Sequence, residues 1–553
     1  MRSRDKERVL TELRSRVVSE IAAGPPGRIE DVLSDSAYFE LRRLKEARDK
    51  GEESHFWRDL KAQITQSGER GQLDLLKKVT DRYAEEICGQ FDERVYSAVT
   101  RAGEPALGLL LNAVSPKKIL TPLLGPLFGG GGPQLPTLPG FSDNIILQGE
   151  IDQLKKLRER GTILLVPTHV SHMDSITVGY ALWKLGLPPF LYGAGLNLFS
   201  NPMLGFFMRN LGAYTVDRRK QDPLYKRVLK EYATLTLENG YDNIFFPGGT
   251  RSRSGALERK LKLGLLGTGL PAYVHNLRAK KAKERMYIVP ATLSFQLVLE
   301  AETLIDDFLK EVGKSRYIIT DDEFSRPRRV YEFMSQLFSL DAKIYFTLGR
   351  ALDPFGNTVD DEGESLDPRG RRVDPRDFVC VDGEPAFDDQ RDAEYTREVG
   401  ERLVEAYSRD AVAQATHLTA HATLTLLRKA NAPVDLVRLL RGGGKVDDLP
   451  LRDLYGEVRR LLEELRGLHQ RGGVRLGPVV VDGSAEDVVA EGLRYFAIYH
   501  AAPAVKRKGD RVTSEERALL FYYSNRLEGY GLDRGNGLKA PLSPDHRQLG
   551  RGA

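Results

Sequence analysis

Residues 162–175 read TILLVPTHVSHMDS, a short apolar run that stops at a proline and passes into polar residues with two histidines and an aspartate. A strand buried on both faces shows continuous apolar sequence rather than alternation, and 162–167 has that form. The form recurs in NIFFPGG (243–249), MYIVPATLSF (286–295) and KIYFTLG (343–349), with helical stretches such as 224–237 between the runs. This alternation predicts an α/β domain over 143–352, with a mixed or mostly parallel sheet flanked by helices. Ligand sites in such sheets collect where strands end, so the residues just after each run become the candidates.

On either side of this domain the periodicity changes. Residues 1–114 carry helical spacing (Val9, Leu10, Leu13, Val17, Ile21, then Ile87, Phe91 and Val95) and predict an N-terminal helical region. A Gly/Pro-rich connection follows at 115–142, where four consecutive glycines exclude both a helix and a sheet interior. Residues 353–395 hold 14 acids against 5 bases, with Pro and Gly punctuation, and read as an acidic linker or irregular excursion. From 396 to 553 the spacing is again helical (Val399, Leu403, Ala406; Leu424, Leu427), ending in a loose tail from Asp533.

The chain has 553 residues, enough for two to four domains, and a net charge of +4, too balanced for a dedicated nucleic-acid binder. Two cysteines, Cys88 and Cys380, form no disulfide framework and no zinc motif, which points to a reducing compartment. The opening MRSRDKERVL mixes acids with bases and does not read as a secretory signal. Two uncharged stretches, 119–142 and 185–208, reach spanning length but are broken by Gly, Pro, Asn and Gln, so neither reads as a transmembrane helix. Either could form an apolar surface or groove, and half-buried core is the plainer reading.

The chemistry concentrates after the strand runs. His169 at a strand end and Asp174 five residues on, in a first helical turn, can meet through one imidazole nitrogen, leaving the other as a base. As a bare pattern this spacing also fits a helix cap by Asp174 or Ser171. PGGTRSRSG (247–255) offers backbone amides and two forked donors, Arg251 and Arg253, to an anion, and LGAYTVDRRK (211–220) ends a strand-like run in Arg218 and Arg219. Residues 205–286 carry 17 Lys/Arg against 7 Asp/Glu, suited to an anionic substrate or lipid surface. His417 and His421 stand four apart, but without a third ligand they read as packed histidines, and Tyr522 and Tyr523 as helix packing. No metal site is expected.

In this order the elements resemble the glycerol-3-phosphate acyltransferase family, within the wider group that includes lysophosphatidate acyltransferases. VPTHVSHMDS matches the family's first block at His169 and Asp174. GLPPFLYGAGLNLF with GFFMRNLGAYTVDRR looks like the second, with Arg218 at its arginine. FFPGGTRSRSG looks like the third, at Gly249, Arg251, Ser252 and Arg253, and IVPATLSF like the fourth, at Pro290. The resemblance implies an acyltransferase domain that moves a fatty acyl group from acyl-CoA or acyl-carrier protein, as co-substrate, to the sn-1 hydroxyl of glycerol-3-phosphate. His169 would be the base, Asp174 its orienter, and the arginines the phosphate contacts, with no cofactor. It further implies phospholipid biosynthesis at the cytoplasmic side of a membrane, with peripheral attachment and no nucleic acid.

Two positions depart from the family pattern. Gly248 stands where the third block carries a glutamate, and Asp217 stands where the second block of these enzymes carries an arginine. Asp217 is the preferred replacement for the missing carboxylate, with Glu258 the other candidate. The alternatives are a lysophosphatidate or dihydroxyacetone-phosphate acyltransferase, or a non-catalytic lipid-binding, membrane-associated protein.

Overall fold

The computed structural model of the chain describes residues 3–48, 51–89, 91–102, 144–196, 206, 208–312 and 342–532. The connection at 115–142, residues 197–205 of the second uncharged stretch and the tail from Asp533 lie outside the described residues.

The central sheet has seven strands: β1 (Ile145–Gly149), β2 (Gly161–Pro167), β3 (Leu191–Gly195), β4 (Ala213–Val216), β5 (Asn243–Ile244), β6 (Arg285–Phe295) and β7 (Ile344–Leu348). Their order is β1-β7-β6-β2-β5-β3-β4. Strands β6, β2, β5, β3 and β4 run parallel; β7 is antiparallel to β6, and β1 is parallel to β7. The fold is α/β with a mostly parallel sheet, flanked by helices and extended by helical regions at both ends.

The continuous apolar runs are explained by burial on both faces. Ile163 and Leu165 of β2, with Tyr287, Val289 and Ala291 of β6, join a core built with the C-terminal helices Ala415–Ala430, Leu451–Gln470, Ala485–Phe496 and Arg517–Ser524. The alternate residues Leu164, Val166, Met286 and Ile288 face a second core with helices Gly269–Arg278 and Asp389–Asp410. A third core joins helices Ser3–Ala22, Arg28–Glu46, Glu52–Gln66 and Glu69–Ile87 to Leu191 of β3, Tyr214 of β4, and Tyr225 and Tyr232 of helix Pro223–Glu238. Val9, Leu13, Val17 and Ile21 form its stripe on the first helix. Each such side chain contributes about 1.5–3 kcal/mol when fully buried, which anchors the N-terminal helices to the sheet edge.

The acidic stretch 353–395 folds into short antiparallel pairs. Asp353, Asp360 and Asp367, seven residues apart, each accept two backbone N–H bonds from the turn that follows. Gly356, Gly363 and Gly370 close these turns at positive φ, which explains the local wealth of Asp and Gly.

Candidate active site

Strands β2, β5 and β4 point the same way, so the residues after them share one edge of the sheet. Beyond β2, the Thr168 N–H donates to the Ala291 carbonyl (3.0 Å) and Thr168 Oγ1 accepts from Leu293 N–H (3.0 Å), which carries the pairing to the threshold of His169. Helix Met173–Lys184 then starts, with Asp174 in its first turn.

Asp174 is fully buried. Its Oδ2 accepts from His169 Nδ1 at 2.8 Å, from Val170 N–H at 2.5 Å and from Ser171 N–H at 3.0 Å. A carboxylate oxygen that accepts two backbone N–H bonds requires the imidazole to present Nδ1–H to it, so the lone pair lies on Nε2. The ring leans on Phe246, with centroids 4.7 Å apart, and the His169 side chain keeps 15% of its surface exposed. Cap and dyad are therefore one arrangement: the same oxygen holds the loop and the imidazole.

The turn after β5 is stitched to this loop. Gly249 adopts φ +70°, Ser252 N–H donates to the His169 carbonyl at 2.8 Å, and Ser252 Oγ donates to the Ala256 carbonyl at 2.6 Å. Ser252 thus fixes the turn through both its backbone and its hydroxyl. Glu258 is half-buried, with its Oε2 enclosed, and its carboxyl accepts His169 N–H at 2.6 Å and the Gly248 N–H. Burial pushes its carboxyl up to about 8, against the pull of those N–H bonds. A Cβ on Gly248 would stand 2.7 Å from Glu258 Oε1. The expectation that Asp217 replaces the missing glutamate is therefore corrected: Asp217 forks onto Arg219 at 3.0 Å to both Nε and Nη2, and Glu258 holds the place beside Gly248. A partner two residues away on the same turn outcompetes one on another loop.

The arginines separate into two groups. Arg251 Nη1 lies 3.5 Å from Glu300 Oε1. Arg218, at the exposed end of β4, is near enough to Arg251 that packing and the neighbouring positive charge both lower its pKa. Among the described residues no carboxylate pairs with Arg218. Two neighbouring guanidiniums can together receive an anion. Arg253 instead reaches Glu311, Nη2 to Oε2 at 2.6 Å, on helix Ala301–Val312, in a largely exposed pair. Pro290 sits inside β6, opposite Val166 in register, where its carbonyl accepts Gly349 N–H; its place is in the sheet next to the dyad's strand.

Sequence reasoning missed Glu300 and the C-terminal segment. Glu300 is fully buried; its Oε2 accepts Ser171 Oγ–H at 2.8 Å and its Oε1 accepts His172 N–H at 3.0 Å, so one carboxylate holds the dyad loop and meets Arg251. A lone acid closing the apolar run 297–299 was its signal. Asn525 Nδ2 donates to the Ser254 carbonyl at 2.8 Å, and Gly255 (φ +82°) passes so close to the Tyr522 carbonyl that a Cβ would stand 2.1 Å from it. Tyr522 lies buried near Asp174, Glu300 and Arg251, and burial raises its phenol. His417 packs through Nε2 onto the Phe295 carbonyl and His421 through Nδ1 onto Ser524 Oγ, both at 3.2 Å. Among the described residues no group of three or more His, Cys, Asp or Glu is placed to hold a metal.

Residues 149–294, which span β2 to β6 and every site residue from His169 to Pro290, match the family model described as Acyltransferase. The chain is similar to the glycerol-3-phosphate acyltransferase of Ectopseudomonas mendocina (strain ymp), 28% identical over 202 residues, which are 34% of this chain and 24% of that protein. It is similar to those of Xanthomonas axonopodis pv. citri (strain 306), 30% over 163 residues (29% and 18%), and Xylella fastidiosa (strain M23), 31% over 176 residues (31% and 19%). The matched part spans about a quarter or less of the length of these relatives.

Proposed function

For a chain that carries a domain of the acyltransferase family, we propose transfer of a fatty acyl group from acyl-CoA or acyl-carrier protein to the sn-1 hydroxyl of glycerol-3-phosphate. The observation that carries this reading is the His169–Asp174 dyad on the same sheet edge as the like-charged pair Arg218 and Arg251. The pair takes the acceptor phosphate and so delivers the hydroxyl to His169 Nε2. Nε2 removes the hydroxyl proton as the oxygen attacks the thioester carbonyl, while Asp174 holds the tautomer and stabilises the imidazolium. The tetrahedral intermediate collapses with cleavage of the C–S bond, and the imidazolium returns the proton to the departing thiolate. No acyl-enzyme is needed.

The non-catalytic alternative drew its force from Gly248; the carboxylate of Glu258 beside that glycine weakens it. Peripheral membrane attachment belongs to the same proposal, supported by exposed Leu196 and Phe206, which flank or open the basic stretch 205–286 in sequence. Among the described residues no helix is long and apolar enough to cross a membrane. The test is thioester consumption with acyl-CoA and acyl-carrier protein against glycerol-3-phosphate, dihydroxyacetone phosphate and lysophosphatidate. Turnover highest with glycerol-3-phosphate is expected; a preference for another acceptor moves the assignment to it, and turnover with none overturns the reading.

A further inference from the structure

The turn after β4 carries Arg218 on its outer side and buries Lys220 on its inner side. Lys220 N–H closes the turn onto the Asp217 carbonyl at 3.2 Å, and Asp217 N–H donates to Tyr225 Oη at 2.9 Å. The Lys220 side chain, 2% exposed, enters the N-terminal helices. Its Nζ lies 2.6 Å from Glu86 on helix Glu69–Ile87 and 3.8 Å from Glu40 on helix Arg28–Glu46. The rings of Tyr83 and Tyr225 flank it at 4.9 and 5.3 Å. Two residues on, Asp222 Oδ2 accepts from Tyr83 Oη at 2.6 Å while Oδ1 caps Leu224 N–H. The strand leading into the turn is gripped by the same region: Phe91 bridges Leu211, and a Cβ on Gly89 would stand 2.4 Å from the Ala213 carbonyl.

A buried lysine between two carboxylates is a poor way to gain stability, because desolvation offsets most of the attraction; apolar residues would do as well. What the pair does supply is a fixed register between two elements. We propose that Lys220 is a positioning residue through which the N-terminal helices, outside the family-matched segment, set Arg218 and so the affinity for the acceptor's phosphate. This rests on Arg218 being a phosphate contact.

The test measures inorganic phosphate binding by calorimetry, and acceptor and donor KM, for wild type, Arg218→Ala, Glu86→Gln, Lys220→Met and Lys220→Arg. Glu86→Gln and Lys220→Met should each weaken phosphate binding and raise acceptor KM roughly tenfold, with donor KM within about twofold, as expected when a binding group is displaced by an ångström or less. Lys220→Arg should recover most of the loss. If Lys220→Met does not fold, Glu86→Gln, whose side chain is 26% exposed, carries the test alone. Unchanged phosphate affinity in folded Glu86→Gln, or equal losses for donor and acceptor, overturns the proposal. Arg218→Ala binding phosphate like wild type, or no phosphate binding by wild type, instead overturns the reading on which it rests.

Discussion

The carboxylate of Glu258 fills the space beside the α-carbon of Gly248, with Oε1 2.7 Å from where a Cβ would stand. One position can hold the carboxylate only if the other yields. Gly248→Glu in the wild-type background should therefore lower stability by about 1–3 kcal/mol, as other overpacked cores do, and reduce turnover. Glu258→Ala alone should reduce turnover by tenfold or more, and Gly248→Glu added to it should restore part of the loss. A double variant no better than Glu258→Ala would show that the two positions are not exchangeable.

Burial raises the Glu258 carboxyl to about 8 from an ordinary 4.5, so the folded chain holds this proton where the unfolded chain has released it. The contribution to stability is complete below about 4.5 and is lost as pH rises to about 8. Denaturant unfolding at pH 5 and pH 8 should show wild type losing stability relative to Glu258→Gln over that interval. A wild type that gains on the variant would contradict the direction.

If Nε2 of His169 is the base, His169→Ala should lower kcat by roughly 10²–10⁴, with the melting temperature little changed. Asp174→Asn should come close, since it disturbs the tautomer and two loop N–H bonds together. Full turnover by a folded His169→Ala would remove the mechanism.

Arg218→Ala and Arg251→Ala should each raise acceptor KM roughly ten- to hundredfold, since a charge-assisted bond contributes about 1.5–3 kcal/mol. Arg253→Ala should change it by less than about threefold, because that side chain is engaged in a largely exposed pair with Glu311. Lysine at 218 or 251 should rescue poorly for want of the planar fork. Steady-state kinetics with the acceptor varied at saturating donor separates these cases.

What could be read from the sequence was what is local. The apolar runs gave the strands because burial on both faces leaves its mark in consecutive residues. His169 and Asp174 stood out because a strand end and the next helical turn lie five residues apart. The supports of the site were hidden because they cross the chain: His169 to Glu258 over 89 positions, Ser171 to Glu300 over 129, Lys220 to Glu86 over 134. Asp217 misled for the complementary reason, since its local tie to Arg219 shows only once the turn's geometry is seen.

The bond from Asn525 to Ser254 joins residues 271 positions apart. A ribosome adding roughly 5–20 residues per second needs about 14–54 s to travel that distance. Through that interval the dyad strand and the turn after β5 exist without the segment Tyr522–Asn525 that packs on Ser254 and Gly255. Chain synthesis therefore orders the assembly of the site: His169, Asp174 and the arginines emerge first, and the segment that braces the turn beside them arrives last.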